Sequence, residues 1–319
     1  MFFSVIIPVY NRPQEVDELL DSLTQQSYQR FETLIIEDGS DNPCKKIVDT
    51  YSDQLHIRYF AKENSGQGFS RNYGFDRANG DYFIVFDSDC LIPPHYFETV
   101  NDYLEHHPLD AYGGPDREHE SFTAVQKAIS YAMTSPITTG GTRGNKNHVG
   151  TFHPRSFNMG ISREVYQQTG GYRITRMGED IEFSIRIIEH GFSTGLIPDA
   201  YVYHKRRTNL KQFFNQLHFF GRARINISRF YPDELKFIHA LPALFTLGTL
   251  FLFTLPFYNP ELFQLLIIPF LALFAVIFAH ATFKNKSLFI GILSSAASFI
   301  QLTAYGIGFM SEWITKLRE

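Results

Sequence analysis

The apolar run "YFIVF" (residues 82–86) ends in Asp87-Ser88-Asp89. Two carboxylates one residue apart repel each other unless a cation offsets them. Hard oxygen donors of this kind suit Mg2+ or Mn2+, which keep coordination positions for substrate oxygens. The same residues also suit the cap of a following helix, a common home for aspartate. Two more apolar runs end in polar groups: "FSVIIPV" (3–9) in Tyr10-Asn11, and "FETLII" (31–36) in Glu37-Asp38. A fourth group, Gly178-Glu179-Asp180, precedes the helical stripe Ile181, Ile185 and Ile188, which Gly191 stops. The partial positive charge of a helix N-terminus near Glu179 or Asp180 favours an ionised carboxylate, the form a general base needs; it equally suits two ordinary first-turn acids.

These groups meet only if the intervening elements place them together. Runs 3–9, 31–38, 57–63 and 81–89 read as strands, and Val16, Leu19, Leu20 and Leu23 fall at helical spacing between the first two. Further helical segments run through Ile47 and Val48 and from Phe69 to Ala78. Strands alternating with helices predict an α/β fold, a mostly parallel sheet with helices on both faces, whose ligands bind at the carboxyl ends of the strands. Tyr10, Asp38, Asp87 and Asp89 are then expected at one edge.

The composition narrows the classes. A net charge of -4 shows no basic excess of the sort that nucleic-acid binding needs. Cys44 and Cys90 are the only cysteines, too few for a disulfide framework and without metal-site spacing, which suits a reducing compartment and two buried thiols. The first residues, "MFFSVIIPVYNRP", lack the pattern of a secretory leader, so the N-terminal part is expected in the cytoplasm.

Three stretches, "SVIIPVYNRPQEVDELLDSLTQQSYQRFETLIIEDGSD", "SRNYGFDRANGDYFIVFDSD" and "FNMGISREVYQQTGGYRITRMGEDIEFSIRIIEHGF", resemble successive motifs of glycosyltransferase family 2, the inverting sugar-nucleotide enzymes of GT-A fold. The resemblance covers roughly residues 3–205. It implies that Asp89 holds a metal ion, Mn2+ or Mg2+, and that Asp87 meets the ribose or the metal's water shell. It also implies that Asp38 accepts from the base ring, with Glu37 a departure from the family's first acid in that turn. Pro8, Val9 and Tyr10 would flank the base. Arg71 would lie near the nucleotide or be a solvated helix cation, Asn72 would serve packing, and Asn11 would hold its loop. Asn158, Met159 and Gly160 would form the floor under the donor sugar. Asp180, with Glu179 beside it, would be the catalytic base, and His204 a metal ligand or diphosphate contact. The glycine-rich "TTGGTRGNKNHVGTFH" (138–153) reads as a mobile loop, either closing over substrate or merely flexible.

After the expected catalytic domain (1–207, with a nucleotide half to 100 and an acceptor half after it), residues 208–236 mix Phe213, Phe214, Phe219, Phe220 and Phe230 with Lys211, Arg222, Arg224 and Arg229. Such a helix suits the headgroup layer, or packs on the catalytic domain. By family analogy Gly221 and Arg222 would meet a lipid pyrophosphate. The segment lacks the "QxxRW" pattern of processive members, against a polymer synthase. Residues 237–319 hold three apolar stretches, near 237–257, 262–283 and 288–310, each long enough to cross a bilayer. Placing Lys205–Arg207, Arg222–Arg229 and Lys284/Lys286 in the cytoplasm makes the first two a hairpin. A third crossing then leaves "TKLRE" outside, against the same charge rule, unless one segment is re-entrant.

The expectation is a membrane-anchored, metal-dependent inverting enzyme on the cytoplasmic face of the inner (plasma) membrane, moving one hexose-type sugar. The donor would be a nucleotide sugar, a uridine diphosphate sugar for preference. The acceptor would be membrane-associated, such as a lipid-linked saccharide in envelope or exopolysaccharide synthesis. The alternatives are transfer to a polyprenyl phosphate itself, or a catalytically silent nucleotide-sugar-binding protein. Nothing in the sequence speaks to the oligomeric state.

Overall fold

The computed structural model describes residues 1–139 and 152–318, so the body of the glycine-rich stretch 138–153 lies outside the described residues. The described chain forms two compact units, residues 1–119 with 152–205 and residues 120–139 with 206–318. The first unit ends at residue 205. The helical segment within 120–139 instead clusters with the C-terminal unit, because its buried Ile129, Ala132 and Met133 pack on Phe213, Leu217, Ala297 and Ala304.

The first unit opens with β1 (Phe3–Val9), α1 (Pro13–Thr24), β2 (Phe31–Asp38), α2 (Lys45–Thr50), β3 (Ile57–Lys62), α3 (Gln67–Phe75) and β4 (Tyr82–Phe86). Next come β5 (Cys90–Leu91), α4 (Tyr96–His106), β6 (Ala111–Gly113) and β7 (Asp116–Arg117). Helices α5 (Ala124–Thr134) and α6 (Pro136–Thr139) belong to the second unit, and β8 (Asn158–Ser162), α7 (Arg163–Thr169), α8 (Glu179–Glu189), β9 (Thr194–Leu196) and β10 (Val202–His204) complete the first.

The main sheet has the order β3-β2-β1-β4-β8-β6-β9. Strands β3, β2, β1 and β4 are mutually parallel, and β8 joins β4 antiparallel. Helices cover both faces, so β4 is a continuous apolar run, β1 is apolar but for Ser4, and β2 is buried throughout its length. One face packs Val16, Leu19, Leu20 and Leu23 of α1 with Phe97 and Val100 of α4. The other packs Phe75 of α3 with Val165 of α7 and Phe183 and Ile187 of α8. Each such side chain contributes about 1.5–3 kcal/mol on burial, which holds the helices on both faces of the sheet. The chain leaves β1 to opposite sides, toward β2 and toward β4, and that switch opens a crevice at their carboxyl ends.

A second sheet, β5-β10-β7, sets His204 directly opposite Cys90, one residue from Asp89. The second unit continues with α9 (Leu210–Ile227), α10 (Leu241–Thr254), α11 (Pro260–Asn285) and α12 (Leu288–Arg318). The stretch Phe237–Phe257 and helices α11 and α12 are each long and apolar enough to cross a membrane. Helix α12 runs eight residues past the stretch expected to end at Met310, because Glu312 is buried between Arg222 and Arg229 at 2.8 Å from each. Phe213, expected in lipid, is fully buried against α5 and α12, whereas Phe230 is exposed.

Candidate active site

The carboxyl ends of β1, β2 and β4 bring Tyr10, Asp38, Asp87 and Asp89 to one edge, as their parallel order requires. The tight turns there need unusual backbone. Asn11 (φ 54°) and Gly39 (φ 73°) adopt left-handed conformations, and a Cβ on Gly39 would sit 2.7 Å from the Asn64 nitrogen. Asn11 is held as expected of a loop residue: its N–H donates to Ser40 Oγ (2.7 Å) and its Oδ1 accepts from Asn42 N–H (3.0 Å).

Asp89 is the centre of the site. Its Oδ2 accepts from Arg12 Nη1 at 2.6 Å, and its Oδ1 lies 3.1 Å from His204 Nε2. The His204 ring stacks on Phe157 at 5.0 Å, which orients it. Asp89, Cys90 and His204 bring one ligand atom each within 4.8 Å of one another. Burial pushes the Cys90 thiol well up, and it donates to the Phe157 carbonyl, so sulfur stays protonated and is a poor ligand for a hard ion. Asp89 oxygen and His204 nitrogen, with partly exposed Asp87 two residues away, form the donor set that fits Mn2+ or Mg2+.

Arg71 is a buried member of the site. It is 1 % exposed, pairs with Asp87 at 2.8 Å and Glu179 at 3.5 Å, and lies over the Tyr172 ring. Its partner Asp87 is the more exposed of the pair, and the burial of Arg71 rules out the solvated helix cation. Asn72 pins Tyr172 through both its backbone N–H and carbonyl, each at 2.8 Å, the packing role expected of it.

Asp38 stands at the edge but is 3 % exposed. Burial works to raise its carboxyl, yet the Lys62 ammonium, the Ser65 N–H and Ser70 outweigh it and hold the pKa below 3.8. Gly66, at φ 87°, donates its N–H as well. A base contact would therefore add to a carboxylate that already anchors the β3–α3 loop. Glu37, the departure in that turn, accepts from Ser40 Oγ and from Cys44 N–H (2.7 Å), a structural duty.

The start of α8 divides its two acids. Met177 (φ 62°) and Gly178 (φ 99°) are consecutive left-handed residues, a strained entry that turns the helix start toward the site. Glu179 is buried and bonded to Gln67 and Arg71; burial first, then the adjacent Asp180 charge, push its carboxyl up. Asp180 keeps a 20 % exposed carboxylate, 3.3 Å from Arg155, with its Oδ1 accepting from Ile181 N–H. Of the two, only Asp180 presents an open acceptor; Glu179 positions Arg71.

Several expected contacts fall elsewhere. Asn158 and Met159 are 0 % exposed and Gly160 is buried, all inside β8. Asn158 accepts from Tyr96 and donates to Ala200, and a Cβ on Gly160 would strike the Tyr112 ring. As sheet-core residues they do not offer the donor floor expected of them. Val9 is likewise core, Pro8 is half-buried, and Tyr10 presents an exposed ring. Arg222 belongs to the second unit, where its Nε donates to Glu312. Arg12, Gln67 and Arg155 were missed. Arg12 follows Tyr10-Asn11 at a strand end and was open to the same reasoning; Arg155 carries no local signal.

A mostly parallel sheet with helices on both faces, and an acid pair at its switch point, is a GT-A-like arrangement. Residues 4–170, just over half of the chain, match the family model "Glycosyl transferase family 2", and the chain belongs to that family. An uncharacterized glycosyltransferase of Haemophilus influenzae is 28% identical over 194 residues, 58% of this chain and 62% of that protein. Other curated relatives are matched over far less of their length, 17% for one from Rickettsia felis, so the chain spans under two thirds of them. A mannosyltransferase from Pyrobaculum calidifontis, solved with GDP-Man and Mn2+, superposes with a TM-score of 0.68 over 97% of this chain and 86% of its own, at 16% identity. Staphylococcus aureus TarS 1-349, solved with UDP-GlcNAc, gives 0.50 over 100% and 93% at 16% identity. These likenesses are of fold.

Proposed function

We propose that the protein is a metal-dependent inverting glycosyltransferase, moving one sugar from a nucleoside diphosphate donor to a membrane-associated acceptor such as a lipid-linked saccharide. The observation that carries this reading is the ion-pair chain Asp87–Arg71–Glu179, which ties the acids at the end of β4 to the first turn of α8. Asp89 and His204 would hold Mn2+ or Mg2+, which supplies positive charge for the departing diphosphate. The exposed ring of Tyr10 offers a stacking face for the base. Asp180 accepts the proton of the attacking hydroxyl as oxygen bonds to the anomeric carbon from the face opposite the leaving group. Its place in the first turn of α8 favours the ionised form.

The similar structures hold GDP-Man in one case and UDP-GlcNAc in another, which supports a nucleotide sugar as donor. Our preference for uridine rests on the family resemblance. The three apolar helices support anchoring in a membrane, and our placement at the inner membrane with the catalytic unit in the cytoplasm rests on the lysines and arginines that flank them. A screen of UDP- and GDP-sugars with Mn2+, reading released nucleoside diphosphate, tests the assignment. No release from any donor, with wild-type protein that binds nucleotide, would leave a silent binding protein.

A further inference from the structure

Three helices are long enough to cross a bilayer, yet both ends of α12 meet the same end of the other two. Helices α10 and α11 are joined by residues 255–259 only, so they run antiparallel, with Phe270 packed between Phe245 and Phe253. Leu241 and Asn285 therefore lie at the open end of this hairpin. Helix α12 starts beside Asn285: a Cβ on Gly291 would meet Thr282 and Phe278 of α11. As one unbroken helix it then crosses the pair, its Phe299 lying 5.9 Å from Phe274 and 6.2 Å from Phe245. Beyond Phe299 it follows α10 back toward that helix's first residues. Thr246 Oγ1 donates to the Leu302 carbonyl at 3.5 Å, a Cβ on Gly306 would meet the Pro242 carbonyl, and Phe309 packs on Ala243. Its last turns face Leu235 and Phe237, ahead of α10.

Helix α9 sets the depth. It runs parallel to α12, from Phe213 and Leu217 near Ala297 and Ala304 to Arg222 and Arg229 on Glu312 and Ser228 on Lys316 Nζ. At the crossing, Gly221 abuts the Tyr305 carbonyl and Gly308 the His218 carbonyl, so the backbones touch. Lys211, Asn215, Arg222 and Arg224 make α9 too polar for hydrocarbon, since each charge at mid-bilayer costs about 2.5–3.5 kcal/mol. A helix in backbone contact with it shares its level.

We infer that α12 is an interfacial helix whose partner is the lipid leaflet on the basic side, so that the chain crosses the bilayer twice, through α10 and α11, and ends on the face that carries α9. The outward stripe of Ile307, Trp313, Ile314 and Leu317 enters the acyl boundary of that leaflet, with a tryptophan at headgroup level. Acyl chains of the same leaflet occupy the apolar groove of about 520 Å³ between Phe237, Leu244, Phe309 and Trp313. Lys236, Lys284, Lys286, Lys316 and Arg318 all fall on this face, whereas the hairpin turn "LPFYNPE" (255–261) carries no lysine or arginine. That is the charge asymmetry an anionic leaflet selects, and it removes the conflict a third crossing creates.

The inference rests on the proposed membrane anchoring and is tested with the full chain in cells. Single cysteines replace exposed Lys211, Tyr258 and Arg318 in turn, the native Cys44 and Cys90 being buried. Spheroplasts and inverted vesicles are then treated with a membrane-impermeant maleimide. Lys211→Cys and Arg318→Cys should label from the same side and Tyr258→Cys from the other. Labelling of Arg318→Cys from the side of Tyr258→Cys would establish three crossings and overturn the inference. Labelling of all three from one side would overturn the anchoring itself.

Discussion

The sharpest consequence of the α8 geometry is that its two adjacent acids should fail in opposite ways. Asp180→Asn keeps shape and leaves a side-chain oxygen to accept from Ile181 N–H, but it removes the proton acceptor. A positioned base contributes about 10²–10⁴ in rate, which at 1.36 kcal/mol per decade is about 2.7–5.4 kcal/mol of barrier. The stability cost should stay within about 0–1 kcal/mol, because the Arg155 pair it breaks is partly exposed on both sides. Glu179→Gln does the reverse. It leaves Arg71, 1 % exposed, with Asp87 as its remaining carboxylate, and breaking a buried pair costs about 3–5 kcal/mol when nothing compensates. Asp87 still holds the guanidinium at 2.8 Å, so the loss should fall at or below about 3 kcal/mol. The assay is nucleoside diphosphate release per mole of folded protein, with thermal unfolding and nucleotide affinity measured alongside. Asp180→Asn turning over within tenfold of wild type at unchanged stability would refute the assignment of the base. Loss of turnover in Glu179→Gln alone would move that role to its neighbour.

Three further outcomes follow from named contacts. Arg12→Gln should tighten Mn2+ binding, read by electron paramagnetic resonance without nucleotide, by roughly three- to tenfold, because the guanidinium 2.6 Å from Asp89 no longer competes for it; weaker binding in the variant would make Arg12 a helper of the metal. Asp38→Asn should lower the unfolding temperature at neutral pH. The wild-type advantage is complete above the ordinary carboxyl value and disappears as pH falls through the depressed folded value, so the two melting curves should converge only in strong acid; a gap independent of pH would show that charge is irrelevant there. Gly308→Leu should force α9 from α12, since even a Cβ strikes the His218 carbonyl, and lower the stability of the detergent-solubilised protein by about 1–3 kcal/mol, with an unchanged melting temperature as the contrary result.

Where a short stretch carries its own physics, the sequence is enough. An apolar run must be buried, so "FSVIIPV" and "YFIVF" announce strands covered on both faces, and alternation with helices makes them parallel. The acids that end those runs then fall at one edge, whatever the details of packing. The stripe Ile181, Ile185 and Ile188 likewise announces α8 and the helix start that favours Asp180 as an ionised base. Burial of particular polar groups is another matter. Whether Arg71 faces a nucleotide or disappears between Asp87 and Glu179 depends on a partner 108 residues away. The family resemblance places Asn158 and Gly160 under the donor sugar, but the antiparallel insertion of β8 between β4 and β6 sets them inside the sheet. Glu312 reads as the polar end of an apolar helix until Arg222 and Arg229, 90 and 83 residues earlier, neutralise it and let the helix continue. Local pattern decides which segments leave water; the distant partner of each charge, which no local pattern encodes, decides where that charge can rest.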